Sequence, residues 1–142
     1  MRWWSSAPHK TLQETRAYIA VNASSAEWPT WAITLGDDIA VGWVVFSERR
    51  AGVREIGYIL RADHGHRGIA REAVTAVLDH GFNTLGVRRV YADTDPENIR
   101  SIRLVEALGF TLEGRLRSEW ETHIGVRDSL IWGLLAEEWR KR

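Results

Sequence analysis

The feature that most constrains the fold is a strand, a glycine-containing turn and a long helix that are followed by a second strand. Val53–Leu60 is rich in β-branched and aromatic residues, and apolar residues then recur at helical spacing from Ala70 to Leu85. Arg89–Thr94 has the pattern of a short strand. Strands joined through a helix pair in parallel with a right-handed crossover. The sequence therefore predicts one parallel pairing in the sheet.

The runs on either side of this unit predict further, antiparallel strands. Residues 30–35 and 39–47 are β-branched and aromatic runs that precede the unit, and short turns separate them, as is typical of a meander. Residues 110–120 and 124–135 predict a final pair of strands, and the charged residues 137–142 predict a tail. The sheet is therefore expected to be mixed and mostly antiparallel.

Two more helices are predicted from capping signals. Residues 11–22 carry apolar positions at helical spacing, with Thr11 as N-cap and a glutamate three residues further on. Asp95 and Pro96 have the pattern of an N-cap and a first helical residue, and Gly109 that of the C-cap of the same helix. With these helices the predicted fold class is α+β, built in three layers with helices on both faces of the sheet.

The composition predicts one domain without covalent cross-links. A chain of 142 residues is one domain of ordinary size, so we expect a single domain spanning residues 1–142. The sequence contains no cysteine, which excludes disulfides, thiolate zinc sites and a cysteine nucleophile. Lysine plus arginine equals aspartate plus glutamate at 19 each, so no net charge favours nucleic acid or an anionic membrane as a partner.

Two further expectations concern where the protein acts and how it assembles. The N-terminus lacks the apolar run of a signal peptide, and no stretch is long enough to span a bilayer, so a cytoplasmic location is expected. Eight tryptophans are many for this length, and indole rings are typical of cores, interfaces and substrate pockets. A homodimer is one interpretation, suggested by Trp3, Trp4, Trp120 and Trp132.

The turn between the first strand and the long helix has the features of an anion site. Residues 61–68 contain two glycines and lead into a helix, whose first turn has free backbone N–H groups and the positive end of the helix dipole. Gly68 lets the backbone approach a phosphate closely, and Arg67 and Arg71 can add positive charge. The glycines could also simply shape a turn, because their spacing alone is weak evidence.

Other phosphate and metal motifs fit this turn less well. No Gly-Lys-Ser/Thr follows it, which argues against a P-loop, and the missing GxGxxG spacing argues against a Rossmann domain. His64 and His66 lie in the turn, but no third ligand is arranged near them, so no metal is expected. A small nucleotide-binding α/β domain remains a third interpretation.

Two motifs together indicate a family. The sequence G-H-R-G-I-A-R-E-A opens the long helix, and one strand later comes Asn98-x-x-Ser101-x-x-Leu104, which runs into Leu-Gly-Phe at 108–110. In this combination the chain resembles the GNAT superfamily of N-acetyltransferases, specifically its RimJ/RimL-like branch. The resemblance extends over almost the whole chain, residues 3–139.

The resemblance implies acetyl-CoA as the acyl donor and a primary amine as the acceptor. It implies that the backbone amides at 66–70, with Arg71, hold the cofactor pyrophosphate, and that residues 59–61 pair with pantetheine like a strand. It also implies that Asn98 and Ser101 border the thioester, and their spacing of three places both on one helix face. The cofactor-binding residues so implied are Ile59, Leu60, Arg61, His66, Arg67, Gly68, Ile69, Ala70, Arg71, Asn98 and Ser101.

The sequence departs from the family pattern at two places. The first position of the turn motif, often glutamine or arginine in the superfamily, is Gly65, which leaves binding to the backbone. Relatives usually begin with a further strand and helix, whereas this chain is expected to enter at their second helix. One wall of the acceptor site is then either missing or supplied by a partner subunit.

The expected reaction is direct attack of the amine on the thioester, without a covalent enzyme intermediate. An alkylammonium has a pKa near 10.4, so a base must remove its proton at neutral pH, directly or through water. Glu55 is the first candidate, because it shares a strand face with Gly57 and Ile59 just before the pantetheine segment. Glu119 and Glu121 on a later strand are the alternatives.

The other catalytic groups expected are a hydrogen-bond donor and an acid. A backbone N–H near Ile59 or Leu60 is expected to stabilise the negative charge that develops on the carbonyl oxygen. Ser101 is expected to protonate the departing thiolate, which helps only modestly because a free thiol has a pKa of about 8.5. The predicted catalytic residues are therefore Glu55 and Ser101.

Two questions stay open at this point. The acceptor is either a protein N-terminus or a small-molecule amine, because one fold serves many acceptors. The alternative to an enzyme is a non-catalytic acyl-CoA-binding or interaction module with a degenerate acceptor site.

Overall fold

The computed structural model describes residues 2–4, 6–65 and 67–141, and this part of the chain forms one six-stranded sheet. The strands are β1 (Thr30–Ile33), β2 (Gly42–Arg50), β3 (Val53–Leu60), β4 (Arg89–Thr94), β5 (Thr111–Thr122) and β6 (Gly125–Leu135). Their order across the sheet is β1-β2-β3-β4-β6-β5. Every pairing is antiparallel except that of β3 with β4. The predicted mixed, mostly antiparallel sheet is confirmed.

The long helix α2 (Ile69–Asp79) is the crossover that makes β3 and β4 parallel. It continues as one π-helical turn, His80–Thr84. Val74, Val77 and Leu78 on its apolar face are buried, and they pack against the sheet in one hydrophobic core. Both strands have the bounds predicted from the sequence, because the change of period on either side of the helix is a strong local signal.

The next helix, α3 (Ile99–Ala107), begins later than predicted. Asn98 is its N-cap, since the side-chain oxygen of Asn98 accepts a hydrogen bond from the Ser101 N–H at 3.3 Å. Asp95 instead forms an ion pair with Arg127 of β6, whose Nε lies 2.7 Å from Asp95 Oδ2. The prediction that Asp95 caps this helix is wrong, because a tertiary partner takes the carboxylate.

The end of α3 is a Schellman motif built on Gly109, which has a φ of +77°. The Gly109 N–H donates to the Glu106 carbonyl at 2.9 Å, and the Phe110 N–H donates to the Val105 carbonyl at 3.0 Å. Leu108 is the C-cap itself. Gly109 therefore ends the helix as predicted, one position beyond the cap.

The ends of the chain also form helices. α1 (Leu12–Ala23) begins after Thr11, whose side chain accepts from the Glu14 N–H at 3.1 Å, as the capping signal predicts. The predicted charged tail is wrong for most of its length, because residues 136–140 form α4 (Ala136–Arg140). None of the helices in the described part of the chain is long and apolar enough to cross a membrane.

The helices lie on both faces of the sheet, which confirms the predicted three layers. Val44, Phe46 and Ile56 point from β2 and β3 into the core that contains α2 and α3. On the opposite face Trp43 of β2 meets Tyr18 of α1, with 6.5 Å between the ring centroids. α1 has no buried residue, so it leaves room between itself and the sheet.

Candidate active site

The central feature of the candidate site is a gap between β3 and β4. Residues 53–55 of β3 pair with residues 89–91 of β4, and among the described residues the register ends there. The edge of β3 from Ile56 to Leu60 therefore faces the gap without a strand partner. An open strand edge presents backbone N–H and C=O groups, to which an extended, amide-containing molecule can bind as an added strand.

Alternation along β3 decides which backbone groups face the gap. The Arg61 N–H donates to the Val41 carbonyl at 2.8 Å, and the Arg61 carbonyl accepts a bond from the following turn at 3.1 Å. The backbone N–H and C=O groups of consecutive strand residues point to opposite sides of the strand. Those of Ile59 therefore point towards β2, as the N–H of Arg61 does. The backbone N–H and C=O groups of Tyr58 and Leu60 consequently point into the gap. Of the three predicted pantetheine residues, only Leu60 has its backbone turned to the gap.

The anion site predicted before α2 has the geometry that such a site needs. Gly68 is the N-cap of α2 with a φ of +75°, and a Cβ at Gly68 would meet no atom within 4 Å. The first bond of the helix runs from the Glu72 N–H to the Gly68 carbonyl at 3.0 Å. Within the described residues, no acceptor takes the N–H groups at 69–71. A phosphate can therefore bind these amides.

Arginines surround this turn. Arg67 and Arg71 are exposed beside it, as predicted. Arg100 of α3 adds a cation that sequence reasoning missed, since its Nη1 lies 3.6 Å from where a Cβ on Gly65 would stand. No local signal marks Arg100, because the fold alone brings the start of α3 next to the turn. His66, also predicted to bind the cofactor, lies outside the described residues.

Two hydroxyl groups bridge the gap. The Tyr58 hydroxyl of β3 lies 2.6 Å from the Ser101 hydroxyl in the first turn of α3. Burial raises the pKa of Tyr58 to about 12, and the hydrogen bond with Ser101 opposes this by a smaller amount. The tyrosine therefore keeps its proton throughout the neutral range. The Asn98 side chain, predicted at the thioester, is engaged as the cap of α3.

A cavity of about 560 Å³ lies on the α1 face of the sheet, beside the gap. We call it the aromatic cavity, after the rings that line it, which belong to Trp3, Trp4, Tyr18, Trp28, Trp43 and Trp120. Gly57 of β3 forms part of its floor, and a Cβ there would lie 3.4 Å from the Trp4 ring. The carboxylates that line it are Glu55, Asp93, Asp95 and Asp128.

Glu55 lies in this cavity, where it is bound by a guanidinium. Its Oε2 accepts a hydrogen bond from Arg49 Nε at 2.7 Å and another from the Tyr91 hydroxyl at 3.1 Å. These contacts fix the carboxylate at the point where β3 and β4 separate, since Glu55 and Tyr91 are the last registered pair. Proton transfer at Glu55 has to use the other oxygen or a water molecule.

Asp93 of β4 is a second carboxylate at the gap, and sequence reasoning missed it. Its two oxygens accept hydrogen bonds from neutral donors, the Trp120 indole at 2.8 Å and the Ser129 hydroxyl. Asp93 follows Tyr91 by two positions, so it lies on the same face as Glu55 and just beyond the end of the pairing. The sequence did contain one signal for Asp93: it lies two positions after Tyr91 in a predicted strand, and alternation places both side chains on the same face.

The alternative bases lie elsewhere. Trp120 turns its ring into the aromatic cavity, and alternation along the regular end of β5 directs Glu121 to the other side of the strand. Glu119 lies in the irregular part of β5, between Leu116 and Trp120, and is exposed. Neither glutamate lines the cavity among the described residues. The structure thus brings Glu55 to the gap from one face and Ser101 from the other, and it leaves Glu119 and Glu121 away from both.

Comparison with known proteins identifies the class to which this fold and site belong. Residues 1–111 match the family model described as the acetyltransferase (GNAT) domain. The chain therefore belongs to the GNAT acetyltransferase family. Its structure is similar to that of a GNAT family acetyltransferase from Bacillus anthracis, with a TM-score of 0.87 and 27% identity over 97% of this chain and 82% of that one.

Curated relatives carry related names. The chain is 37% identical over 92 residues to the uncharacterized N-acetyltransferase p20 of Bacillus licheniformis, covering 65% of this chain and 52% of the relative. It is 27% identical over 136 residues to the uncharacterized N-acetyltransferase YnaD of Bacillus subtilis, covering 91% and 76%. A spermidine N(1)-acetyltransferase of Escherichia coli is 32% identical over 66 residues, covering 46% and 36%. The chain thus spans about half the length of p20 and a smaller share of the spermidine enzyme.

Proposed function

We propose that this chain transfers the acetyl group of acetyl-CoA to a primary amine bound in the aromatic cavity. One observation carries the proposal: β3 and β4 separate after Glu55 and Tyr91. On one face of this opening lie two hydroxyls and the start of α2, whose amides at 69–71 have no acceptor within the described residues. On the other face lies a cavity with carboxylates. A donor can therefore reach an acceptor through the sheet.

The chain's own groups would hold the donor in order along the gap. The amides at 69–71 and the arginines at 67, 71 and 100 would bind the pyrophosphate, since a helix start and guanidiniums both favour anions. The backbone of Leu60 would bind the pantetheine amides as a strand. The adjacent Tyr58 backbone would then lie closest to the reacting carbonyl and donate its N–H to the charge that develops there.

Acetyl-CoA supplies a thioester, whose carbonyl carbon forms a C–N bond with the amine as its C–S bond breaks. The nitrogen loses two protons, one when the ammonium becomes the attacking amine and one after the C–N bond forms. Glu55 is proposed to receive each in turn, through its second oxygen or through water, and to release it to the solvent. Ser101 is proposed to donate a proton to the sulfur, Tyr58 replaces that proton through their hydrogen bond, and water then returns a proton to Tyr58. No covalent bond to the protein is required at any step.

Several finer predictions belong to this proposal. Membership in the RimJ/RimL-like branch would favour a protein N-terminal amine as acceptor, whereas the relative named for spermidine suggests a small-molecule amine. A cytoplasmic location and a homodimer stay predictions as well. The charge balance of 19 against 19 favours neither nucleic acid nor an anionic membrane as a partner.

Two measurements on the full chain test the proposed function. Calorimetry with acetyl-CoA, CoA, ATP and NAD should give binding for the first two ligands only, and preference for ATP or NAD would favour a nucleotide-binding domain. Release of free thiol from acetyl-CoA should then depend on added amine. Binding without amine-dependent turnover across small amines and peptides would leave only the non-catalytic acyl-CoA module.

A further inference from the structure

The charges of the aromatic cavity nearly cancel one another. Three of its four carboxylates have arginine partners: Arg49 Nη2 lies 2.5 Å from Glu55, Arg127 Nε lies 2.7 Å from Asp95, and Arg115 Nη2 lies 2.6 Å from Asp128. Hydrogen bonds from Arg127 and the Glu97 amide outweigh the burial that opposes ionisation, and they hold the pKa of Asp95 below its usual range. Arg127 also pairs with Glu97, whose Oε1 lies 2.9 Å from Arg127 Nη2, and Arg2 acts on Asp95 as a further cation. This cluster as a whole therefore offers no net charge to a ligand.

Asp93 is the exception. Among the described residues it has no cationic partner, and its two hydrogen bonds come from the neutral Trp120 indole and Ser129 hydroxyl. An ionised carboxylate has about four lone-pair sites, so two bonds leave room for an ammonium group. The cavity therefore presents one uncompensated negative charge, next to the point where the acetyl group would arrive.

Two of the aromatic rings already form cation–π contacts with arginines. The Arg49 guanidinium lies 5.1 Å from the centroid of the Trp28 ring, and the Arg2 guanidinium lies 4.6 Å from that of the Trp3 ring. The rings of Trp4 and Trp43 contact each other edge to face at 6.2 Å, and Trp4 covers Gly57. These two rings have no arginine over them among the described residues, and they add apolar surface to the cavity lining, which suits a hydrophobic or aromatic body.

We infer that the acceptor is a small monoamine with an aromatic or large apolar body, and that Asp93 binds its ammonium group. A polyamine fits this cavity poorly. Each further ammonium group would lose its hydration on entering the cavity, and the remaining carboxylates there are already paired with arginines. Unpaired charges of this kind are costly to bury. The inference rests on the proposed function only in taking the aromatic cavity as the acceptor site.

Binding and turnover are measured separately on the full chain, in the presence of CoA and acetyl-CoA respectively. The probes are 2-phenylethylamine, n-butylamine with the same charge but no ring, 2-phenylethanol with the ring but no charge, spermidine, and a short peptide with a free N-terminus. We expect 2-phenylethylamine to bind at least about tenfold more tightly than each of the others, a difference equivalent to one charged hydrogen bond or one buried ring.

Variants tie this selectivity to the charges. Asp93→Asn should lose most of the preference for 2-phenylethylamine over 2-phenylethanol, whereas the matched control Asp37→Asn, in an exposed turn, should keep it. Arg49→Met releases Glu55 as a second free carboxylate, so spermidine should gain at least about threefold relative to 2-phenylethylamine. This second variant tests the charge balance even if Asp93→Asn fails to fold.

The outcomes separate the two proposals. Preferential binding or acetylation of spermidine or of the peptide overturns the inference and leaves the proposed function standing. If 2-phenylethylamine binds selectively through Asp93 but no amine is acetylated, the amine-binding role of Asp93 stands and the proposed function falls. Equal binding of the charged and uncharged ring compounds, or unchanged selectivity in Asp93→Asn, also overturns the inference.

Discussion

The hydroxyl groups of Tyr58 and Ser101 lie 2.6 Å apart, although 43 positions separate the two residues in the sequence. This contact joins β3 to α3 across the gap in which the thioester is proposed to lie. Only one of the two hydroxyls can donate in it, so the proton available to a departing thiolate belongs to the pair. Ser101 therefore does not act as an isolated acid.

We predict that Ser101→Ala and Tyr58→Phe each lower kcat by about tenfold without changing the affinity for acetyl-CoA, because general acids help most when the leaving group is a strong base. The double variant should be no slower than the slower single variant, since residues that act as a unit are not additive. Thiol-release kinetics and calorimetry measure both quantities, and Ser24→Ala at the end of α1 is the control. Losses that multiply would contradict a shared proton.

The same tyrosine predicts how stability depends on alkaline pH. Burial raises the pKa of Tyr58 to about 12, from 10.0 for an unperturbed tyrosine. The unfolded chain therefore releases this proton first, and the stabilisation is complete below pH 10 and lost as the pH rises to 12. The loss is roughly 2–3 kcal/mol in the free energy of unfolding. Denaturant titrations between pH 10 and 12 should show this loss in the wild type. If the free energy of unfolding fell equally steeply with pH in Tyr58→Phe, the prediction would be refuted.

Gly68→Ala should weaken acetyl-CoA binding by at least about tenfold, because its methyl group would stand where a phosphate approaches the amides of α2. Gly86→Ala is a matched control. Both glycines have positive φ, +75° and +64°, and in both a Cβ would meet no atom within 4 Å. Both substitutions should therefore destabilise the fold by a similar amount, about 1 kcal/mol. Calorimetry should find normal affinity in the Gly86 variant alone, and equal losses in both would count against the phosphate site.

Glu55→Gln should lower kcat by about a hundredfold, which is the lower range for removing a general base. The matched control is Glu48→Gln, because Glu48 also pairs with an arginine on the neighbouring strand, Arg54 at 2.8 Å, but does not line the aromatic cavity. Its kcat should change less than about twofold. Rates measured from pH 6 to 9 distinguish the roles: unimpaired turnover of Glu55→Gln at neutral pH would assign proton removal to water or to Asp93.

The sequence predicted the elements with strong local signals. β3 and β4 have the expected bounds, Thr11 caps α1, and Gly109 ends α3. Predictions were less accurate where the local pattern was ambiguous. Strand β2 begins at residue 42 rather than 39, and residues 136–140 form a helix instead of a tail. These errors concern short segments, in which propensity is weak compared with packing.

For the site, the sequence predicted Glu55, Ser101 and the glycine turn, and the structure gathers them around one gap. It did not predict Asp93 or Arg100, which carry no motif. It also assigned Asp95 to a helix cap, although Arg127 of a distant strand holds that carboxylate. Each miss depends on a partner more than 30 positions away or on an element packed alongside, and single-residue patterns contain no information about such partners.

The sequence by itself determined the order of the elements, the parallel pair within an antiparallel sheet and the glycine turn that leads into α2, because periodicity, caps and glycine geometry act within a few residues. Only the tertiary structure decided where β3 and β4 part, which hydroxyls meet across the opening and which carboxylate of the cavity has no arginine partner among the described residues. Those outcomes follow from strand register and from helices packing on opposite faces, and both are set by the burial of the whole core.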